Sequence, residues 1–226
     1  MIGKLAVLAA AGLISTGALA QSQGDFLFRV GVGYVEPDTS SGNLFVGGTE
    51  LDGYTIDIGS NVRPIATLGF MVTDNIGLEL LASWPFEHDI DGDGVLAGAG
   101  KLGETKHLPP TLSLQYHFLP NRAFRPYAGI GFNYTLFMDD NTTQLLDDTL
   151  GGPSSLDIDD SYGIAFQLGA DFDITDTLFL NVDVRWIDID ADATIRTANP
   201  DGSDTISRIQ ADIDPLVISS SIGFTF

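Results

Sequence analysis

The run Asp89-Ile90-Asp91-Gly92-Asp93-Gly94 comes nearest in this chain to a recognised piece of chemistry. Carboxylates at positions 1, 3 and 5, a glycine at 6 and the apolar Leu96 at 8 reproduce the first half of a calcium loop, where hard oxygens wrap the cation. Position 12 is Gly100, where a bidentate glutamate belongs, and no helices flank the run. It reads either as a solvated acidic turn or as a weak calcium site with Asp89, Asp91 and Asp93 as ligands and Glu104 nearby. Catalytic chemistry has little to work with. There is no cysteine, and the three histidines, His88, His107 and His117, sit in no metal-ligand spacing. Gly31 and Gly33, like Gly129 and Gly131, precede no helix, so they are not phosphate loops. Their expected part is to make room for bulky neighbours or to let a sheet bend. The expectation is a protein that is not an enzyme and needs no cofactor.

Arg29, Glu79, Asp171, Asp183 and Arg185 are a different case. They stand within otherwise apolar or small-residue stretches, with Asp183 and Arg185 two residues apart in the same one. Charges taken out of water must be paired, so what these five can do depends on the elements that carry them.

A strand sends successive side chains to opposite faces. Eight segments alternate in this way, at 26–34, 67–72, 76–84, 112–118, 127–136, 162–172, 178–187 and 216–226. In each, one face is predominantly apolar and carries no charge. The other holds small and polar residues, the five charges and His117 among them. The links alternate in length: short at 73–75, 119–123 and 173–177, long at 36–62, 85–109, 138–161 and 188–214. This pattern predicts an all-β fold, an eight-stranded antiparallel transmembrane β-barrel with long external loops and short periplasmic turns. Phe26, Phe118, Phe172 and Phe226 fall at the short-turn ends of the apolar face. Tyr34, Trp84, Tyr134, Tyr162 and Trp186 fall at the other ends. Two aromatic girdles are what the two interfaces of a bilayer select. A soluble lipocalin-like barrel, the competing fold, would put its apolar face inside.

The remaining features agree. Residues 1–20 read as a signal peptide, with Lys4 as the positive region, a short apolar core from Leu5 to Leu13 and a small-residue cleavage site at Ala18-Leu19-Ala20. Residues 21–226 are then the barrel domain. An exported chain without cysteine has no disulfide framework. The formal net charge is −21, and 24 of the 31 acidic residues lie in the four long links. Such a surface repels nucleic acid and attracts cations.

Several stretches resemble the OmpW family of small outer-membrane barrels. Thr73-Asp74-Asn75-Ile76-Gly77-Leu78-Glu79-Leu80 is similar to the family's first periplasmic turn and third strand, and His107-Leu108-Pro109-Pro110-Thr111-Leu112 to its entry into the fourth. Phe124-Arg125-Pro126-Tyr127-Ala128-Gly129-Ile130-Gly131-Phe132-Asn133-Tyr134-Thr135 resembles the fifth strand. Asp188-Ile189-Asp190, Asp214-Pro215 and the terminal Phe226 also fit. The resemblance implies a barrel in the bacterial outer membrane with a narrow, partly apolar lumen, associated with uptake of small hydrophobic molecules. It also implies that Phe226 serves as an assembly signal read by the barrel assembly machinery.

Two readings of the interior stay open. The charge network of Arg29, Glu79, Asp171, Asp183 and Arg185 is either a plug that fills and pins the barrel or a gate. Met71, Leu81, Tyr127, Ile187 and Val217 also point inward, as packing or as an apolar path. The expected function is a narrow channel for passive uptake of small hydrophobic or amphipathic molecules. The alternative is a structural or docking barrel that anchors the envelope and presents acidic loops. Outer-membrane lipid, lipopolysaccharide, small hydrophobic solutes and divalent cations are the expected partners.

Overall fold

The computed structural model describes residues 21–226, and the signal peptide expected at 1–20 lies outside the described residues. The barrel wall consists of β1 (Phe26–Glu36), β2 (Asn61–Met71), β3 (Ile76–Ser83), β4 (Thr111–His117), β5 (Phe124–Thr142), β6 (Ser161–Asp173), β7 (Leu178–Ile187) and β8 (Leu216–Thr225). Every strand pairs antiparallel with its neighbour in the chain, and β8 returns to pair with β1 from Leu27↔Thr225 to Glu36↔Leu216. Closure leaves no free edge in the wall.

The two faces of these strands have opposite chemistry. Val30, Val32, Leu68, Leu80, Leu112, Ile130, Phe166, Leu168, Val182 and Ile222 are exposed on the outside, while Arg29, Glu79, Gln115, Gln167, Asp171, Asn181, Asp183 and Arg185 are buried inside. An apolar belt around a polar interior is stable only where the surrounding solvent is lipid. The aromatic residues rim this belt, with Trp84 and Tyr162 more than 70 % exposed at the long-link end. Among the described residues no helix is long and apolar enough to cross a membrane; the crossing is made by strands.

The long links differ from loops. They carry nine further strands: Ser40–Ser41, Leu44–Val46, Thr49–Leu51, Tyr54–Ile58, Phe86–Gly94, Lys101–Leu108, Ser154–Ile158, Asp190–Ala198 and Asp204–Asp212. The reason is a second alternation beneath the acids. Ala191, Ala193 and Ile195 are buried while Asp190, Asp192 and Arg196 face out; Ile209 and Ala211 are buried while Arg208, Gln210 and Asp212 face out. Together with a short helix, α1 (Gln144–Leu150), these strands build an external cap. Its inward residues continue the barrel interior as one apolar cluster that includes Val35, Ile58, Ile65, Leu81, Phe86, Ile90, Ile187, Ile189, Ile209 and Val217.

Candidate functional site

The barrel register brings the five charges into one cluster at mid-height. Arg29 on β1 donates from Nη1 to Glu79 Oε2 at 2.6 Å and from Nη2 to Asp171 Oδ2 at 3.0 Å. Arg185 on β7 donates from Nη2 to the other Glu79 oxygen at 2.9 Å and lies 3.6 Å from Asp183 Oδ1. Glu79 thus bridges both arginines.

Neutral side chains complete the network. The Gln167 amide donates to Glu79 at 3.0 Å and to Asp183 at 2.8 Å. The Tyr127 hydroxyl donates to Asp183 at 3.0 Å, and the Asn181 amide donates to Tyr127 at 2.9 Å and to Asp171 at 2.8 Å. Each charged side chain here is 8 % exposed or less. Gln167 and Asn181 follow from the alternation as inward residues, but nothing in their types marks them as the connectors.

Below the network the barrel has a floor. Leu27, Met71 and Phe179 form a separate buried cluster, and Arg125 ion-pairs with Asp173 beside it. The Arg29 and Arg125 guanidiniums lie 5.4 and 5.5 Å from the Phe179 ring centre, within cation–π range. Gly223 is required here, since a Cβ would sit 2.2 Å from the Phe179 ring. Leu27, Arg125 and Phe179 are absent from the sequence reading of the site. Phe179 lies in the run Leu178-Phe179-Leu180, where all three residues are apolar and hydropathy cannot say which faces in.

Above the network Leu81, Ile187 and Val217 join the apolar cluster of the cap. The apolar path expected from Met71, Leu81, Tyr127, Ile187 and Val217 is therefore not continuous. Met71 lies in the floor, Tyr127 is bound into the charge network, and only the other three face the cap. At the junction of the two zones is a cavity with about 20 Å³ of free volume, room for roughly one water. The lumen is filled at this level.

The Asp89, Asp91 and Asp93 reading needs correction. These residues lie on Phe86–Gly94, a strand paired to Lys101–Leu108 on one side and Tyr54–Ile58 on the other. An extended strand spaces alternate carboxylates in a line, roughly 6.5 Å apart, and cannot wrap an ion as a loop does. Lys101 Nζ occupies the acidic stretch, 2.6 Å from both Asp89 and Glu104. Among the described residues no group of three or more His, Asp or Glu is placed to hold a metal.

Two histidines gain a role that their spacing does not announce. His88 and His107 stack in the cap with ring centres 4.8 Å apart, flanked by Phe86 and Phe137. Burial pushes His88 below its ordinary range. His107 is pushed down to about 3, by burial first and by its neighbour His88 second. Both are neutral in the folded cap. Phe226 closes the barrel next to β1: its backbone N–H donates to Phe26 at 3.0 Å, the Phe26 N–H donates back at 2.8 Å, and the two rings stack at 6.0 Å.

Known proteins share this architecture. The model of the OmpW family matches residues 22–226. Outer membrane protein W of Vibrio cholerae is 41 % identical over 224 residues, covering 98 % of this chain and 97 % of the relative. The crystal structure of the outer membrane protein OprG from Pseudomonas aeruginosa superposes with a TM-score of 0.84 at 35 % identity, covering 93 % of this chain and 99 % of that one. The dibenzothiophene metabolism operon protein PahQ of Pseudomonas aeruginosa is 25 % identical over 199 residues, covering 88 % of this chain and 87 % of the relative. An eight-stranded barrel with an apolar outer belt, matched over its whole described length, belongs to the OmpW family and resides in the outer membrane.

Proposed function

We propose that this barrel passes small apolar molecules from the cell exterior into the outer membrane, and that they leave through the wall rather than through the lumen. One observation carries the reading: the apolar interior of the cap runs down to a lumen that is filled by paired charges. An apolar molecule gains by entering the first zone, about 25 cal/mol per Å2 of surface removed from water. It cannot pass the second without breaking the ion pairs.

The wall beside this dead end is incomplete. The β3–β4 ladder runs from Ile76↔Tyr116 to Leu81↔Thr111, and pairing resumes only at Phe86↔His107. Pro85, Pro109 and Pro110 fall in the gap, and proline has no amide to donate. The nearby groups bond elsewhere: Trp84 N–H donates to Pro64 at 3.0 Å, and the Pro110 carbonyl accepts from Tyr134 at 3.1 Å. Pro109 also lines the mid-barrel cavity with Leu81 and Phe86. This seam is the natural exit to lipid. A relative named for a dibenzothiophene operon is consistent with an apolar aromatic solute.

The test is uptake into vesicles. Replacing Pro109 and Pro110 with alanine restores two amide donors and lets the ladder close. Entry of a hydrocarbon such as octane is expected to fall severalfold in this variant. Unchanged entry with the variant correctly inserted would remove the seam from the pathway. No enhancement by the unaltered barrel over empty vesicles would favour the docking reading, to which the filled lumen is also suited.

A further inference from the structure

The upper edge of the charge network is not fully satisfied. Arg185 is 2 % exposed at its side chain and uses Nη2 alone, on Glu79 and Asp183. Its Nε and Nη1 are buried and have no hydrogen-bond partner among the described residues. Such donors are costly to leave unpaired, the more so on a charged group. Arg185 lines the mid-barrel cavity, which the charge network and Ser219 bound on one side and Leu81, Phe86, Ile187 and Val217 on the other. An unpaired N–H of a cation and apolar side chains thus meet at a space for one water-sized atom; Nε–H and Nη1–H point to opposite sides of the guanidinium, so a single atom pairs with one of them.

From this geometry we infer a polar anchor site at Arg185 for the oxygen of an otherwise apolar molecule: a ketone, aldehyde or alcohol. The inference rests on the transport reading above and sharpens its substrate class. The oxygen takes the one-water space and accepts from one unpaired guanidinium N–H, while the apolar body enters by parting the packed side chains of Leu81, Ile187 and Val217. Charge selects a neutral acceptor over a carboxylate. The network already holds three acids against two bases, and Arg185 is engaged by two of those acids. A carboxylate would add a further negative charge in a desolvated space, against Glu79 and Asp183. A hydrocarbon of the same length would fill the apolar part and leave the donors unpaired. A carbonyl oxygen is the size of the space; a bulky polar head is not.

The experiment uses the full barrel in lipid nanodiscs, with decane, 2-decanone carrying a 13C carbonyl, and decanoate as probes. The ketone is expected to bind roughly tenfold tighter than a hydrocarbon of equal length, the worth of one hydrogen bond to a charged donor. Its carbonyl stretch should shift to lower frequency on binding. Arg185→Lys keeps the positive charge beside Glu79 but removes the unpaired guanidinium N–H groups, so the ketone's advantage and the carbonyl shift should both fall away. Should that variant fail to assemble, Val217→Ile fills the cavity with one added carbon and alters no charge, and should abolish the same shift. An unshifted carbonyl, or decanoate binding tighter than the ketone, overturns the anchor. So does binding of water alone, seen as ketone and hydrocarbon of equal affinity. Octane entry into vesicles through the unaltered barrel is read in parallel. If octane enters and the carbonyl band does not move, the anchor fails while the transport reading stands. If octane does not enter, the transport reading itself fails.

Discussion

Glu79 holds two arginines with one carboxylate, so it is the residue on which the filled lumen depends most directly. Removing it leaves Arg29 with Asp171 alone and Arg185 with a single contact at 3.6 Å. Loss of one partner of a buried pair costs about 3–5 kcal/mol, because the other charge stays buried. Glu79→Ala is therefore expected to unfold at lower temperature in mild SDS and to raise ion conductance in planar bilayers. A variant with wild-type heat resistance and conductance would show that the arginines do not need it. Gly169 makes a related prediction. A Cβ there would lie 2.3 Å from the Tyr127 hydroxyl, so Gly169→Ala must displace the ring that holds Asp183. Overpacking of this kind costs about 1–3 kcal/mol, read as a lower melting temperature.

The histidine pair sets an expectation for the cap strands. Unfolded histidine titrates near 6.5, while His107 in the cap is held down to about 3 and His88 is also lowered. A depressed histidine means that the unfolded cap binds protons first. The stability they support is complete above about pH 6.5, falls as pH drops through that value, and levels off near 3. After burial, Arg63 pushes His88 further down, while the hydrogen bond to the Gly59 carbonyl and the charge of Asp89 oppose it. Amide protection factors of Phe86–Gly94 and Lys101–Leu108, exchange rates taken relative to the intrinsic rate at each pH, should therefore fall between pH 6.5 and 4, and His107→Phe should flatten the dependence. An equal fall in that variant would place the pH effect elsewhere. The C-terminal strand makes a separate prediction: deletion of Phe226 removes the β1 backbone pair and the Phe26 stack, and outer-membrane insertion should drop. Normal insertion of the shortened chain would deny it the role of assembly signal.

The sequence showed these elements unequally. The eight wall strands and their faces were legible because period-two alternation is unmasked there. In the links, acids on the outward positions hid the same alternation, so strands such as Asp190–Ala198 passed for loops. Inward charges could be named from the sequence, but their pairing could not. Which carboxylate meets Arg29 depends on the stagger of strands far apart in the chain. The calcium motif misled for a local reason: its residues follow a loop's spacing, yet Ile90, its second residue, is drawn into the apolar cluster and the run pairs as a strand.

At the scale of the whole molecule, the charge distribution and the apolar belt divide the labour. The belt fixes the barrel in the bilayer, and the acidic cap faces outward with 24 of the 31 acids. Crowded carboxylates repel, and Asp190 and Asp214 show it: burial first, and then neighbours including Asp188 and Asp212, raise both above the usual carboxylate range. Divalent cations should steady the cap by screening, without a saturable site at Asp89, Asp91 and Asp93. Calorimetry should show a shallow calcium titration that magnesium reproduces; a saturable isotherm weakened by Asp91→Asn would restore the specific site. The central claim is that an apolar solute crosses while the lumen stays shut. Its most direct test measures octane entry and ion conductance on the same preparation of unaltered barrel in liposomes and planar bilayers. The account predicts octane entry severalfold above protein-free membranes with no stepwise conductance. Entry no faster than through bare lipid, or entry accompanied by open-channel steps, would contradict it.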